Sequence, residues 1–322
     1  MNAGKQEDEI MKKVSVGKGK EALPAIVLGT MRIEGMSEAE VAGLLENAIE
    51  SGTNFVDTAN CYGEKEGGVE LLLGKTFRKY PGLRDKIMLQ SKGGITFFPD
   101  GRPFHNYSKE HLLKTLDASL ERLGTDHLDY FLLHRSDPLF RPEEVAEAFE
   151  IMKESGKVLH FGVSNEVPMG IELMQKYCRV PIEVNQMQFS VVHADMCVQP
   201  VATNNHDFYA VDRDGGVLNY CRLKEIQLQA WSPFQYGFID GVFIDNPKYA
   251  KVNAAMDKVA KRHGVSKTTI AVAWILRHPA DMQVVCGTTK TERFKECCKA
   301  CEIDLSYEDW YEIYLAAGYP IM

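Results

Sequence analysis

The sequence predicts the α/β class, as a single-domain (β/α)8 barrel of the TIM type spanning residues 1–322. Three observations predict it: short β-branched or apolar runs alternate eight times with longer amphipathic stretches, no linker or low-complexity tract divides the chain, and polar residues gather where the apolar runs end. A barrel of this type needs about 250 residues plus insertions, so the chain is long enough. Its chemistry belongs at the C-terminal ends of the strands.

The first unit pairs a strand over Pro24–Thr30 with a helix over Ser37–Ser51, where Ser37 and Glu40 form a capping box. Asn54–Thr58 is the second strand and leads to a helix near Gly68–Tyr80. Lys86–Lys92 runs through a long aromatic loop, Gly93–Tyr107, into a helix capped by Ser108. Leu128–His134 precedes a helix over Pro142–Ser155 that Gly156 stops, and Val158–Ser164 precedes Pro168–Tyr177. After the sixth strand, Ile182–Gln186, the turn-rich Thr203–Asp207 and Asp212–Gly216 mark an insertion. Ile226–Trp231 is followed by two helices, Pro247–Arg262 and Lys267–Arg277. Gln283–Gly287 with Thr291–Ala300 completes the eighth unit, and an extra C-terminal helix, Tyr307–Ala317, should pack outside the barrel.

Composition narrows the function. The longest apolar runs, such as Tyr130–Leu133, are far too short to span a bilayer, and Met1–Ile10 lacks the basic start and apolar stretch of a signal peptide, so the cytoplasm is the expected compartment. With 37 basic and 45 acidic residues the net charge is −8 and no basic stripe stands out, which argues against a nucleic-acid partner. The eight cysteines are irregularly spaced, as reduced thiols are. Cys298-Lys-Ala-Cys301 has the spacing of a zinc or redox half-site but no second pair, so no metal is expected. Val69–Thr76 resembles a phosphate loop with valine in place of the first glycine, and reads as a helix. No G-x-G-x-x-G follows a strand anywhere, which argues against a doubly wound dinucleotide site.

Three strand ends bring Asp57, Tyr62, Lys92 and His134 to one rim. Reducing a carbonyl by hydride transfer leaves charge on oxygen, so it needs a proton donor and polar groups aimed at the alkoxide. Tyr62 can donate, although a phenol of ordinary pKa about 10 is a reluctant acid at neutrality. An adjacent Lys92 ammonium would favour the phenolate, Asp57 would keep that lysine charged in a dry site, and His134 would orient the substrate oxygen. Cys61, beside Tyr62, is a thiol whose alkylation would touch activity.

Phe55-Val-Asp-Thr-Ala-Asn-Cys-Tyr-Gly63, Lys92 after its apolar run, and Leu132-Leu-His-Arg-Ser-Asp137 resemble the second-, third- and fourth-strand signatures of the aldo-keto reductase superfamily. The likeness covers nearly the whole chain, and is greatest to bacterial oxidoreductases with tryptophan, here Trp231, where many relatives have tyrosine. It implies reduction of an aldehyde or ketone to an alcohol, or the reverse, with NADP(H) across the barrel mouth and NAD(H) as the alternative cofactor. Asp57, Tyr62, Lys92 and His134 match the family's catalytic set. Ser164, Asn165 and Gln186 match the residues that hold the nicotinamide carboxamide, and Trp231 matches the ring that stacks on it. Gly287, Thr288, Lys290 and Arg293 fall in the segment that grips the adenosine 2′-phosphate, while Thr30, Met31, Ser232 and Phe234 stand at strand ends expected to border the cofactor. Met31, Phe97 and Phe98, with Tyr62 and His134, are the expected substrate contacts, and Phe104, Tyr107 and Tyr236 would add aromatic surface. The expected partner is a small carbonyl or alcohol, and the expected assembly a monomer or weak homo-oligomer. The other reading is a slow or non-catalytic cofactor-sensing regulatory subunit of the same fold.

Overall fold

The computed structural model describes residues 11–16 and 21–321; Met1–Ile10, on which the leader expectation rests, lies outside them. Eight parallel strands close into a barrel in chain order: β1 (Ile26–Gly29), β2 (Phe55–Asp57), β3 (Met88–Gly93), β4 (Leu128–Leu133), β5 (Val158–Ser164), β6 (Ile182–Gln188), β7 (Gln227–Trp231) and β8 (Gln283–Gly287). The register sets neighbours across the mouth: Gly29 pairs with Asp57, Asp57 with Gln90, and Ser164 with Gln186.

The outer helices are α1 (Glu38–Glu50), α2 (Gly68–Lys79), α3 (Lys109–Leu123), α4 (Pro142–Glu154), α5 (Pro168–Tyr177), α6 (Val217–Lys224), α7 (Ala250–His263), α8 (Lys267–Leu276), α9 (Thr291–Lys299) and α10 (Tyr307–Ala316). Local chemistry starts several of them. Ser37 and Glu40 form the capping box of α1, Ser108 caps α3, and proline occupies the first turn of α4 and α5. The Ser306 hydroxyl and the Asp309 side chain make a second capping box at α10. That helix lies on the outside of the barrel, its Trp310 stacked on Trp274 of α8 at 4.8 Å between ring centroids.

The false phosphate loop is the body of α2. Gly74 is there because α2 runs against the end of α3: a β-carbon on it would lie 1.9 Å from the Arg122 carbonyl oxygen. Cys297 and Cys298 are buried on the inner side of α9, and all eight cysteines are free thiols.

Three hairpins lie outside the expected elements. Lys13–Val16 pairs with Glu21–Pro24 and runs into β1, so Pro24 belongs to this hairpin and not to the barrel. The aromatic loop after β3 contains the hairpin Ile95–Phe97 with Pro103–His105, and the segment after β7 forms Gln235–Tyr236 with Gly241–Val242. Their strands are two to four residues long and carry almost no alternation, which is why the sequence pattern passes over them.

Candidate active site

Side chains alternate across a strand, so Gln90 and Lys92 of β3 both point into the barrel while Ser91 between them points out, where its hydroxyl meets Glu70 of α2 at 2.6 Å. Lys92 is wholly buried. Its ammonium donates to an Asp57 carboxylate oxygen at 2.7 Å, to the Thr58 carbonyl at 2.9 Å and to the Tyr62 hydroxyl at 3.2 Å. Tyr62 follows β2 and its ring stands edge-on to His134, 5.8 Å between centroids. The four residues singled out from the sequence thus share one floor at the C-terminal end of the barrel.

Burial pushes the Tyr62 phenol up to about 12, and the opposing pull of the Lys92 ammonium does not cancel it. This differs from the simple expectation that lysine lowers the tyrosine: leaving water costs the phenolate more than Lys92 returns, and the Asp57 charge adds to the cost. Burial also presses on the Lys92 ammonium, but Asp57 and then Tyr62 outweigh it, so its pKa lies above the ordinary lysine value. His134 is held well below the usual imidazole range by burial and by the cationic Lys92 and Arg135. Near neutrality the site therefore holds a protonated phenol, an ammonium and a neutral imidazole.

Cys61 places its sulfur 3.3 Å from Nδ1 of His134. Burial pushes this thiol up to about 12. It stays protonated, so it is a slow target for alkylation, and it can donate to Nδ1, an arrangement that leaves the imidazole proton on Nε2.

Beneath Asp57 lies a layer of four buried glutamines, of which the sequence pointed to Gln186 alone. Gln90 and Gln186 each donate to Asp57 Oδ1, at 2.6 and 3.0 Å, and both also donate to Gln229 Oε1 at 2.9 Å. Gln229 donates to Gln283, which donates to the Pro24 carbonyl. Barrel interiors are usually filled by branched aliphatic residues. Here four strands contribute amides: Gln90 and Gln186 hold Asp57 Oδ1 directly, Gln229 and Gln283 back them, and the Lys92 ammonium lies against the same carboxylate. The signal was present: Gln90 stands two residues before Lys92, and Gln229 two before Trp231, hence on the same inward face.

The floor opens into a cavity of about 1030 Å³. Thr30, Met31, Asp57, Tyr62, His134, Ser164, Asn165, Gln186, Trp231, Ser232, Phe234, Gly287, Thr288 and Arg293 all line it. Asn165 and Ser232 have positive φ, 54° and 53°, so the chain makes a left-handed turn directly at the ends of β5 and β7. The Asn165 amide donates to the Ser164 hydroxyl and its oxygen accepts from the Trp231 indole at 3.1 Å.

Several expected contacts stand elsewhere. Phe97 and Phe98 lie on the hairpin after β3 and do not line the cavity; Phe98 packs on Phe104 at 4.4 Å, and Ile95 reaches the cavity instead. Tyr236 faces Tyr249, and Lys290 sits at the N-cap of α9, away from the lining. Tyr107 is buried and its hydroxyl donates to the Arg135 carbonyl, so its role is to pin the loop after β4. Asp137 does the same by accepting from the backbone of Tyr107 and Leu139. The cavity wall gains Arg32, Arg135, Phe238 and Ile239, all from loops without periodicity.

A closed eight-stranded barrel with a buried Lys–Asp pair against a tyrosine at its mouth defines a barrel oxidoreductase. Residues 25–314 match the Aldo/keto reductase family, and the chain belongs to that family. Among its relatives, the 6-dehydroglucose reductase of Agrobacterium fabrum is 33% identical over 92% of this chain and 94% of its own length. The uncharacterized oxidoreductase YcsN of Bacillus subtilis is 34% identical over 88% of this chain and 91% of its own. The crystal structure of the thermostable aldo-keto reductase Tm1743, solved with the inhibitor epalrestat, superposes with a TM-score of 0.72 at 27% identity, covering 95% of this chain and all of that one.

Proposed function

We propose that the protein reduces an aldehyde or ketone to an alcohol, and in reverse oxidises the alcohol, using NADP(H), with Tyr62 as the proton donor. The observation that carries this reading is the Lys92 ammonium held between Asp57 and the Tyr62 hydroxyl in the floor of a cavity. The residues present fit a nicotinamide dinucleotide phosphate. Ser164, Asn165 and Gln186 offer amide and hydroxyl groups suited to a carboxamide, and Trp231 offers a flat ring beside them. Arg293 lines the cavity from the first turn of α9 and, among the described residues, makes no ion pair or side-chain hydrogen bond, so its charge is available to a phosphate. When bound, the reduced nicotinamide supplies the hydride.

The chain's own residues do the rest. His134, neutral and close to Tyr62, donates a hydrogen bond that orients the carbonyl oxygen. Tyr62 gives that oxygen its proton, and the Lys92 charge next to the phenol stabilises the phenolate left behind. Asp57, fixed by Gln90 and Gln186, keeps Lys92 charged without water. The name of the Agrobacterium relative points to sugar-derived aldehydes among the first substrates to assay.

The test is NADPH oxidation with a panel of aldehydes and ketones. Tyr62→Phe should lower kcat by about 10²–10⁴-fold with NADPH binding retained. Full turnover in that variant would remove Tyr62 from the role. Arg293→Ala should weaken NADPH by about tenfold or more and leave NADH little changed, the loss of one charge-assisted contact.

A further inference from the structure

Arg135 follows His134 directly and lines the same cavity as Tyr62. Its guanidinium carbon lies 5.7 Å from the centre of the Trp231 ring and 5.1 Å from that of Phe238, and its own carbonyl is tied down by the Tyr107 hydroxyl. The two rings and the pinned backbone hold the group in one place on the wall.

What it lacks is an acceptor. Guanidinium carries five N–H donors, yet among the described residues the Arg135 side chain has neither a hydrogen bond nor an ion pair. Three carboxylates share the cavity: Asp57 is paired with Lys92, Asp245 with Lys267, and Glu296, on α9, forms no hydrogen bond or ion pair with Arg135. Burial already lowers the Arg135 pKa, and Tyr107 and Tyr62 oppose this without cancelling it. A charged donor group that has lost part of its hydration gains only the faces of two aromatic rings in return, and these satisfy none of its N–H donors. A planar or tetrahedral oxyanion would satisfy its fork. Arg32, exposed on the loop after β1, adds a second cation to the same wall.

Resting on the carbonyl-reductase reading, we infer that Arg135 is a specificity-determining residue, and that the favoured substrates are carbonyl compounds bearing an oxyanion, a carboxylate or a phosphate, on the side of the molecule away from the carbonyl. Trp231 and Phe238 then act as the frame that aims the guanidinium, and the distance from His134 along the wall sets how far the anion stands from the reacting carbon.

The test compares 4-carboxybenzaldehyde and 4-formylphenyl phosphate with benzaldehyde, at saturating NADPH, for wild type, Arg135→Met and Arg135→Lys. Wild type should prefer at least one of the anionic aldehydes by about tenfold in kcat/KM, and which one tells carboxylate from phosphate. Arg135→Met should lose about 10–100-fold on the preferred anion, mainly through KM, at least tenfold more than on benzaldehyde, and lysine should restore part of it. Equal losses on charged and neutral aldehydes, or a wild type that prefers benzaldehyde, would overturn the inference, as would a variant whose main defect is a raised NADPH dissociation constant. Benzoate and phenyl phosphate binding, followed by tryptophan fluorescence, supplies a readout independent of turnover. Oxyanion binding lost in Arg135→Met, in a protein that reduces no carbonyl, would uphold the Arg135 site while refuting the reductase reading; binding unchanged by the variant would refute the site itself.

Discussion

Removing the charge of Asp57 strands Lys92, and the size of the effect can be worked from the burial of the pair. Lys92 is 0% exposed and Asp57 2%, with 2.7 Å between ammonium and carboxylate. Breaking a buried pair from one side costs about 3–5 kcal/mol, because the remaining charge has no partner. At about 2.1 cal/mol/K of unfolding entropy per residue, a chain of 322 residues loses roughly 1.5 °C of Tm per kcal/mol. Asp57→Asn and Lys92→Met should therefore each melt about 5–7 °C below wild type. The double variant removes both charges and should fall short of the summed losses by about 2 kcal/mol or more. The pH dependence has a definite sign. In wild type the Lys92 pKa is raised above 10.5, so its contribution is present in full below that value and fades as pH climbs through the folded pKa. In Asp57→Asn the folded pKa falls below 10.5, so the deficit is large at neutrality and shrinks as pH rises toward 10.5. Thermal melts of the four proteins between pH 7 and 10, with NADPH turnover alongside, measure all of this. Additive losses in the double variant, or an Asp57→Asn protein with wild-type kcat, would refute the reasoning.

Gln90→Leu removes a 2.6 Å hydrogen bond to the Asp57 carboxylate and leaves Gln186 as its remaining amide donor. The loss should be about 1.5–3 kcal/mol of stability in denaturant titrations, with a fall in kcat larger than any change in KM; unchanged kcat would make the glutamine layer purely structural. Because Tyr62 is pushed up to about 12 and His134 held far below 6.5, kcat/KM for carbonyl reduction should be flat from about pH 6 to 9, while alcohol oxidation rises about tenfold per pH unit as the phenolate fraction grows. An acid limb near the ordinary imidazole value in the reduction profile would show that His134 titrates there. Gly74→Ala should destabilise by about 1–3 kcal/mol despite the better helix propensity of alanine, since α2 must move off the Arg122 carbonyl; a raised Tm would disprove the close contact.

The barrel was legible because its period is. Val158–Ser164, Pro168–Tyr177 and Gln283–Gly287 stand at the bounds expected from alternation and from proline at a helix start. The floor of the candidate site was legible because Asp57, Tyr62, Lys92 and His134 are residue types with a joint chemical meaning at strand ends. The three short hairpins were not, since strands of two to four residues offer no period to read. Phe97 and Phe98 are expected at the substrate from their type, but the hairpin pairs Phe97 with Pro103 and turns Phe98 onto Phe104 and Arg102.

The sequence by itself determined the eightfold alternation, the strand ends and which four polar side chains, Asp57, Tyr62, Lys92 and His134, to seek at one rim, all of which depend on patterns local to a few residues. Only the tertiary structure decided that glutamines from four strands meet under Asp57, that Tyr62 is raised rather than lowered, and that Arg135 faces the cavity between two rings with no ion pair among the described residues. Each of those follows from which distant residues share a buried space, and from how little water remains there to screen their charges.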